Sequence, residues 1–266
     1  MRLAPLNVLF CIKKENSNSR VAFSMIKKDL EFFVDEIKHN IDTCLSWVGN
    51  QPERLRMHVK THKCPEVVKI QLAKGLTKHK AATIAEAQML AMCGAPDVFI
   101  AYPMVGPNLK RLANLIRKYE GTTFSVSVDH PEAGEMLGNT MTKEGLTLEV
   151  LLDLDMGFKR TGFPVEAAAL DLYRTLASTK GIKAVGFQTY DGHNQLEHHA
   201  DRLAELDRVW SQIMEMRAKL RGIFNKHIYP IVMQEFGWLF EPVVSWLDKH
   251  NVTLFARFVS GVTAGR

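Results

Sequence analysis

Cysteine is scarce in this 266-residue sequence: Cys11, Cys44, Cys64 and Cys93 lie far apart, with no CxxC pair among them. That excludes a disulfide scaffold and a zinc-finger spacing, and it points to a reducing compartment, so the cytoplasm is the expected location. Long apolar runs are missing too. No stretch of about 18 apolar residues occurs, so no membrane association is expected. The nearest run, LAPLNVLFCI at 3–12, is broken by Pro5 and Asn7, and the KKENSNSR after it offers no small-residue cleavage site. Residues 1–22 are therefore read as a poorly ordered N-terminal extension. Charge of one sign is in short supply: 34 Lys and Arg face 29 Asp and Glu, and the excess of +5 is spread along the chain. No nucleic-acid partner is expected from that balance. Internal repeats, low-complexity tracts and Gly/Ser linkers are absent as well. What remains, 46% apolar and 24% charged, is the composition of one globular domain or one domain with a small appendage.

From about residue 54 onward, short runs rich in β-branched and apolar residues alternate with longer segments of helical period, the pattern of a parallel sheet with crossover helices. The spacing predicts strands over 55–61, 79–83, 97–103, 123–129, 146–155 and 183–190, with two further runs at 227–233 and 252–259 flanking a helical piece at 236–249. Cys64-Pro65-Glu66 places a proline at a first helical position, and Thr83-Ile84-Ala85-Glu86 has capping-box spacing. Residues 195–221 read as an amphipathic outer helix. Eight such units favour a (β/α)8 TIM-type barrel over an open doubly wound sheet, which usually closes with fewer strands.

In a parallel barrel the chemistry sits where strands run out into βα loops. Three segments collect polar groups there. In Arg56-Met-His-Val-Lys-Thr-His-Lys63, alternation along an extended strand puts His58, Lys60 and His62 on one face. A lysine aimed into a barrel is costly to bury unless its charge is used, and desolvation lowers its pKa toward that of an amine nucleophile. Lys60 is thus either a Schiff-base lysine or part of a surface basic cluster. His58 and His62, about 13 Å apart on such a strand, cannot share a metal ion. The second segment, Asp153-Leu-Asp-Met-Gly-Phe-Lys-Arg-Thr-Gly162, ends a strand in two alternating carboxylates and a turn carrying Lys159 and Arg160; it suits a ligand-binding turn or a plain βα turn with a salt bridge. The third, Gln188-Thr-Tyr-Asp-Gly-His193, crowds an aromatic, a carboxylate and an imidazole at one strand end.

In this order and spacing the three segments, with Ala82-Thr-Ile-Ala-Glu-Ala87 and Ile100-Ala-Tyr-Pro103, resemble the D-threonine aldolase and D-serine dehydratase family. Members have the alanine-racemase type of barrel, fold type III, and use pyridoxal 5'-phosphate. The resemblance covers about residues 40–220 and makes 23–220 the cofactor-binding barrel. It implies that Lys60 forms the Schiff base with the cofactor, that Arg160 hydrogen-bonds the cofactor's phenolic oxygen, and that Tyr190 packs against the pyridine ring. His58 and Gln188 would line the same pocket, and His193 would be an acid/base or substrate-contacting group. The activity so implied is a lyase acting on a small D-amino acid: retro-aldol cleavage of D-3-hydroxy amino acids to glycine and an aldehyde, or loss of ammonia in the manner of D-serine dehydratase.

A homodimer is expected from the same resemblance, as is a divalent metal beside the substrate hydroxyl. Its ligands, normally a His followed two residues later by Cys or Asp, are not visible after residue 220, where His227 and His250 stand isolated. Met57 stands where the motif usually has Pro. Residues 221–266 depart from the family, and the expectation is a chain without its C-terminal β-domain: a lyase, a non-catalytic cofactor-binding remnant, or a remnant fold that binds nothing. Ser260-Gly-Val-Thr-Ala-Gly265 suits either a small backbone phosphate nest after a last strand or a frayed tail.

Overall fold

The computed structural model describes residues 20–23, 30–194, 196–220, 233–234 and 257–258. A short antiparallel hairpin, β1 (Arg20–Phe23) and β2 (Leu30–Phe33), leads into α1 (Val34–Trp47). There follow β3 (Arg56–His58), α2 (Pro65–Ala73), β4 (Lys78–Ala81), α3 (Ile84–Met92), β5 (Asp97–Ile100), α4 (Pro107–Lys118), β6 (Thr123–Val128), α5 (Pro131–Lys143) and β7 (Leu148–Asp155). After a two-residue β8 (Phe163–Pro164) come α6 (Ala167–Ser178), β9 (Ile182–Tyr190) and α7 (His199–Leu220), then β10 (Met233–Gln234) and β11 (Arg257–Phe258). The hairpin and β8 have no counterpart in the sequence reading. Each of the eight runs expected as parallel strands contains or overlaps one. The expected helix at 236–249 lies outside the described residues.

All the ladders from β3 to β9 are parallel, in the order β3-β4-β5-β6-β7, with β9 and the short β8 both pairing with β7. β10 and β11 pair with each other in parallel; β10 lies against β9 and β11 against β3. That is the circular strand order of a (β/α)8 barrel, although among the described residues no ladder joins β9 to β10 or β11 to β3.

Side-chain chemistry divides cleanly between the two faces of the sheet. Met57, Val59, Ala81, Val98, Ile100, Val126, Val128, Val150, Leu152 and Leu154 belong to the large core that includes Val68, Leu90, Leu112, Leu137, Leu176 and Ile213 of the helices. The opposite phase holds Arg56, His58, Lys80, Phe99, Ser125, Ser127, Leu151, Asp153, Gln188 and Tyr190, all buried. Phe99, Leu151 and Tyr190, from three different strands, pack together in a separate small cluster. The sheet therefore curls so that this second face meets itself. At the amino end of the interior the Arg56 guanidinium donates to both oxygens of Asp97, at 2.5 and 2.9 Å, which gives a buried cation a bidentate partner.

The helix starts follow the expected signals. Pro65 opens α2, and Thr83 Oγ1 accepts the amide of Glu86 at 3.1 Å while Glu86 Oε2 reaches back to the amide of Ala82 at 2.7 Å. Glu86 also pairs with Lys63, tying the turn after β3 to the start of α3.

His79 is fully buried with Nε2 3.2 Å from Gln71, and His62 lies nearby with Glu86 and Lys63 around it. Burial, above all, holds both imidazoles down to about 4, with Arg56 adding to the effect at His79. A histidine more acidic folded than unfolded contributes stability above about 6.5, and that contribution is lost as pH falls toward 4. The thermal midpoint should therefore drop between pH 7.5 and 5, and His79→Gln, which keeps a polar partner for Gln71, should flatten that slope. A variant with the parent's full acid sensitivity would contradict the assignment.

Candidate functional site

The loop after β7 is shaped by carboxylates at the ends of β6 and β7. Asp155 Oδ1 accepts the amides of Gly157 at 2.9 Å and Lys159 at 3.0 Å, an Asx-type turn that lets Lys159 adopt φ 54°. Farther on, Thr161 Oγ1 donates to Asp153 Oδ2 at 3.1 Å and the amide of Gly162 donates to Asp129 Oδ2 at 3.2 Å. Arg160 is held between these anchors. Its guanidinium lies 4.7 Å from the Tyr190 ring centre and 5.0 Å from that of Phe158, and the two rings meet edge to face at 5.5 Å. No ion pair to Arg160 occurs among the described residues. Its charge rests on two aromatic faces and is available to an anionic oxygen.

β9 supplies the other wall. Gln188 and Tyr190 are buried at its carboxyl end, and Gly192 follows where any Cβ would run into the Tyr190 ring. His193 lies 6.2 Å from Phe158, centre to centre, with Nε2 3.7 Å from Glu205 of α7, beyond hydrogen-bond reach. Glu205 is itself held by Arg208 at 2.7 and 2.9 Å, and that pairing is the main reason its carboxyl is more acidic than usual.

On the opposite side, β3 ends at His58. The chain then turns, with the Lys63 amide donating to the Val59 carbonyl at 2.8 Å and Lys63 at φ 45°. This corrects the expectation that His58, Lys60 and His62 share a strand face. Lys60 stands half-buried in the turn, and His62 folds back so that Nδ1 accepts the amide of Cys64 at 3.1 Å, at the start of α2. The extended-strand spacing used to separate the two histidines does not apply either. His58 Nδ1 is 2.7 Å from the Lys80 carbonyl, which makes it the donor and prevents it from accepting the Lys60 amide 3.3 Å away.

Lys80, Asp153 and Thr161 were not singled out as site residues in the sequence. Lys80 is fully buried, with Nζ donating to Gln188 Oε1 at 3.1 Å and lying 5.1 Å from the Phe99 ring centre. Asp153 faces it from β7. Burial is the chief reason the Asp153 carboxyl is pushed up to about 6, while Lys80, Thr161 and Gln188 hold it down and Asp129 pushes the same way as burial. The signal for Lys80 was its phase: it alternates with His79 and Ala81, which pack outward.

An amine on a half-buried turn, an unpaired guanidinium stacked on a tyrosine, and a nearby imidazole all lie at the carboxyl end of the strands. These residue types suit pyridoxal phosphate, whose aldehyde, planar ring and phenolic oxygen need such partners. The candidate phosphate nest at 260–265 lies outside the described residues. No group of three or more His, Cys, Asp or Glu side chains placed to hold a metal ion is found among the described residues, and no helix among them is long and apolar enough to cross a membrane.

Residues 34–229 match the alanine racemase N-terminal domain family, and the chain belongs to it. Among proteins of known activity, the chain is similar to a D-threonine aldolase of Arthrobacter sp., 29% identical over 181 residues, which is 68% of this chain and 47% of that protein. It is also similar to a D-threo-3-hydroxyaspartate dehydratase of Delftia sp., 27% identical over 65% of this chain and 43% of that one. The crystal structure of D-threonine aldolase from Filomicrobium marinum superposes with a TM-score of 0.74 at 26% identity, covering 85% of this chain and 59% of that chain. The chain thus spans about half the length of the curated relatives it matches.

Gly162 carries the closest approach in the β7 loop. At φ 103° it adopts a backbone that L side chains rarely take, and a Cβ would sit 2.6 Å from the Asp155 amide nitrogen. Gly162→Ala should cost about 1–3 kcal/mol of stability, read as a lower denaturant midpoint. An unshifted midpoint would show that the turn does not hold this geometry.

Proposed function

We propose that this chain is a pyridoxal 5'-phosphate-dependent lyase of the D-threonine aldolase type, cleaving D-3-hydroxy amino acids to glycine and an aldehyde. The observation that carries the reading is the Arg160 guanidinium stacked on Tyr190, without a carboxylate partner among the described residues, at the strand end that Lys60 also occupies. Lys60 would hold the cofactor covalently through Nζ. Arg160 would donate to its phenolic oxygen and Tyr190 would pack against its ring, while His58 and Gln188 line the pocket. When bound, the cofactor supplies a sink for the electron pair of the bond broken at the substrate Cα.

The chain's own groups then have a defined task. Retro-aldol cleavage requires the proton of the β-hydroxyl to leave as the Cα–Cβ bond breaks, giving the aldehyde, and a proton to return to Cα to give glycine. His193 is proposed to hold the hydroxyl proton. Among the described residues neither ring nitrogen of His193 makes a hydrogen bond, and the Glu205 carboxylate lies 3.7 Å from its Nε2. Burial of Gln188, Tyr190 and Lys80 keeps the floor of the site free of bulk water. The dehydratase among the relatives supports a second reading with the same residues: a Cα proton leaves first and the β-hydroxyl departs as water.

The test is spectral and kinetic. With pyridoxal phosphate the protein should develop the absorbance of a lysine-bound cofactor, which Lys60→Ala abolishes. Arg160→Ala should weaken cofactor binding roughly tenfold to a hundredfold, the worth of one charge-assisted hydrogen bond. With an added divalent metal, glycine from D-threonine supports the aldolase reading and pyruvate from D-serine the dehydratase one. A cofactor band that survives Lys60→Ala, or cofactor bound with neither product formed, would contradict a lyase centred on Lys60.

A further inference from the structure

A fully buried lysine that the proposed chemistry does not use needs another explanation. Lys80 lies on the interior face of β4, paired in register with His58 of β3. Its ammonium reaches across the interior to the amide oxygen of Gln188 on β9. Gln188 stands opposite Asp153 in the β7–β9 ladder and donates to its carboxylate, and Asp153 accepts from Thr161. Thr161 is the residue after Arg160. A continuous polar path therefore runs from the buried cation to the turn that carries the exposed one. A cation so placed is costly to bury, and a methionine of similar shape would fill the space at less cost, so fold stability does not account for it.

We infer that Lys80 is a positioning residue: through Gln188 and Asp153 its buried charge keeps Thr161 anchored, and so holds the turn in which Arg160 stacks on Tyr190. That this turn serves the cofactor rests on the function proposed above; the coupling of Lys80 to the turn does not. The charged or titratable groups facing Asp153 are Lys80 from β4 and Asp129 from the end of β6, and Thr161 and Gln188 complete its hydrogen bonds. Of these, only Lys80 supplies positive charge, so without it the ionised carboxylate is favoured by the hydrogen bonds of Thr161 and Gln188 alone. A protonated Asp153 is a weaker acceptor for Thr161.

The decisive experiment is amide hydrogen exchange on the cofactor-free protein at pH 7.5, comparing the parent with Lys80→Met, Thr161→Val, the double variant, and Lys74→Met as a surface control. Exchange in 156–162 should rise roughly tenfold in Lys80→Met while β4 and β7 stay protected, the size expected when one hydrogen bond to a charged group is lost. Thr161→Val should open the same amides. The double variant should open them no further, because both cut one path. Lys74→Met should leave them unchanged. Should Lys80→Met not fold, Gln188→Met cuts the path one residue on and must give the same local opening. Unchanged exchange in 156–162 in a folded Lys80→Met, or in Gln188→Met in its place, overturns the inference, as does an additive double variant.

Pyridoxal phosphate affinity gives a second readout: Lys80→Met should bind it several-fold more weakly while Lys60 remains the attachment point. If the parent binds no pyridoxal phosphate, the proposed function fails and the exchange result still decides the role of Lys80.

Discussion

The contact between Lys80 and Gln188 defines the inside of this molecule. The two residues stand on β4 and β9, which are not neighbours in the sheet, yet their side chains meet at 3.1 Å. Only a sheet curled on itself allows that. Once it curls, every strand has one face toward the helices and one toward an enclosed interior, and the alternation of side chains assigns each residue to one or the other. The outer phase is mainly apolar, with His79 bonded to Gln71 as a polar exception, and packs on the helices. Apart from Leu151, the inner-phase residues named above are polar or aromatic, and their charges are met by specific partners: Arg56 by Asp97 at one end, Lys80 by Gln188 toward the other.

From that enclosure the site follows. Interior residues near the carboxyl ends of β3, β7 and β9 hand over to loops that carry the exposed groups, and the loops are shaped by the strand-end carboxylates Asp153, Asp155 and Asp129. Those carboxylates anchor amides and a hydroxyl instead of neutralising Arg160. The guanidinium is left on aromatic faces, where it keeps its hydrogen-bonding capacity for a ligand. A loop anchored by strand-end carboxylates and a charge held by rings are what the proposed binding of an anionic, planar cofactor would use.

Much of this was legible in the sequence, and the misses have physical reasons. The period-2 and helical runs located the strands and helices because each element must present an apolar stripe to the same core. The capping at Thr83 and the proline at the start of α2 stood where local chemistry placed them. The run from His58 to His62 was misread because alternation was extended past the last strand residue; Lys63 in a left-handed conformation turns the chain there. Lys80 was overlooked because strand phase shows which residues share a face, whereas which face is interior depends on closure, a long-range property. Thr161 was quoted within a motif, but its bond to Asp153 joins a loop to a strand and has no signature in local spacing.

The central claim is that Lys60, at the carboxyl end of this barrel, is the attachment point for a carbonyl cofactor. It is tested most directly by incubating the purified protein with pyridoxal 5'-phosphate, reducing with borohydride and locating the adduct by mass spectrometry. The account predicts a single stable adduct on Lys60. Label on Lys80, label scattered over surface lysines such as Lys74 and Lys143, or no label at all would contradict it.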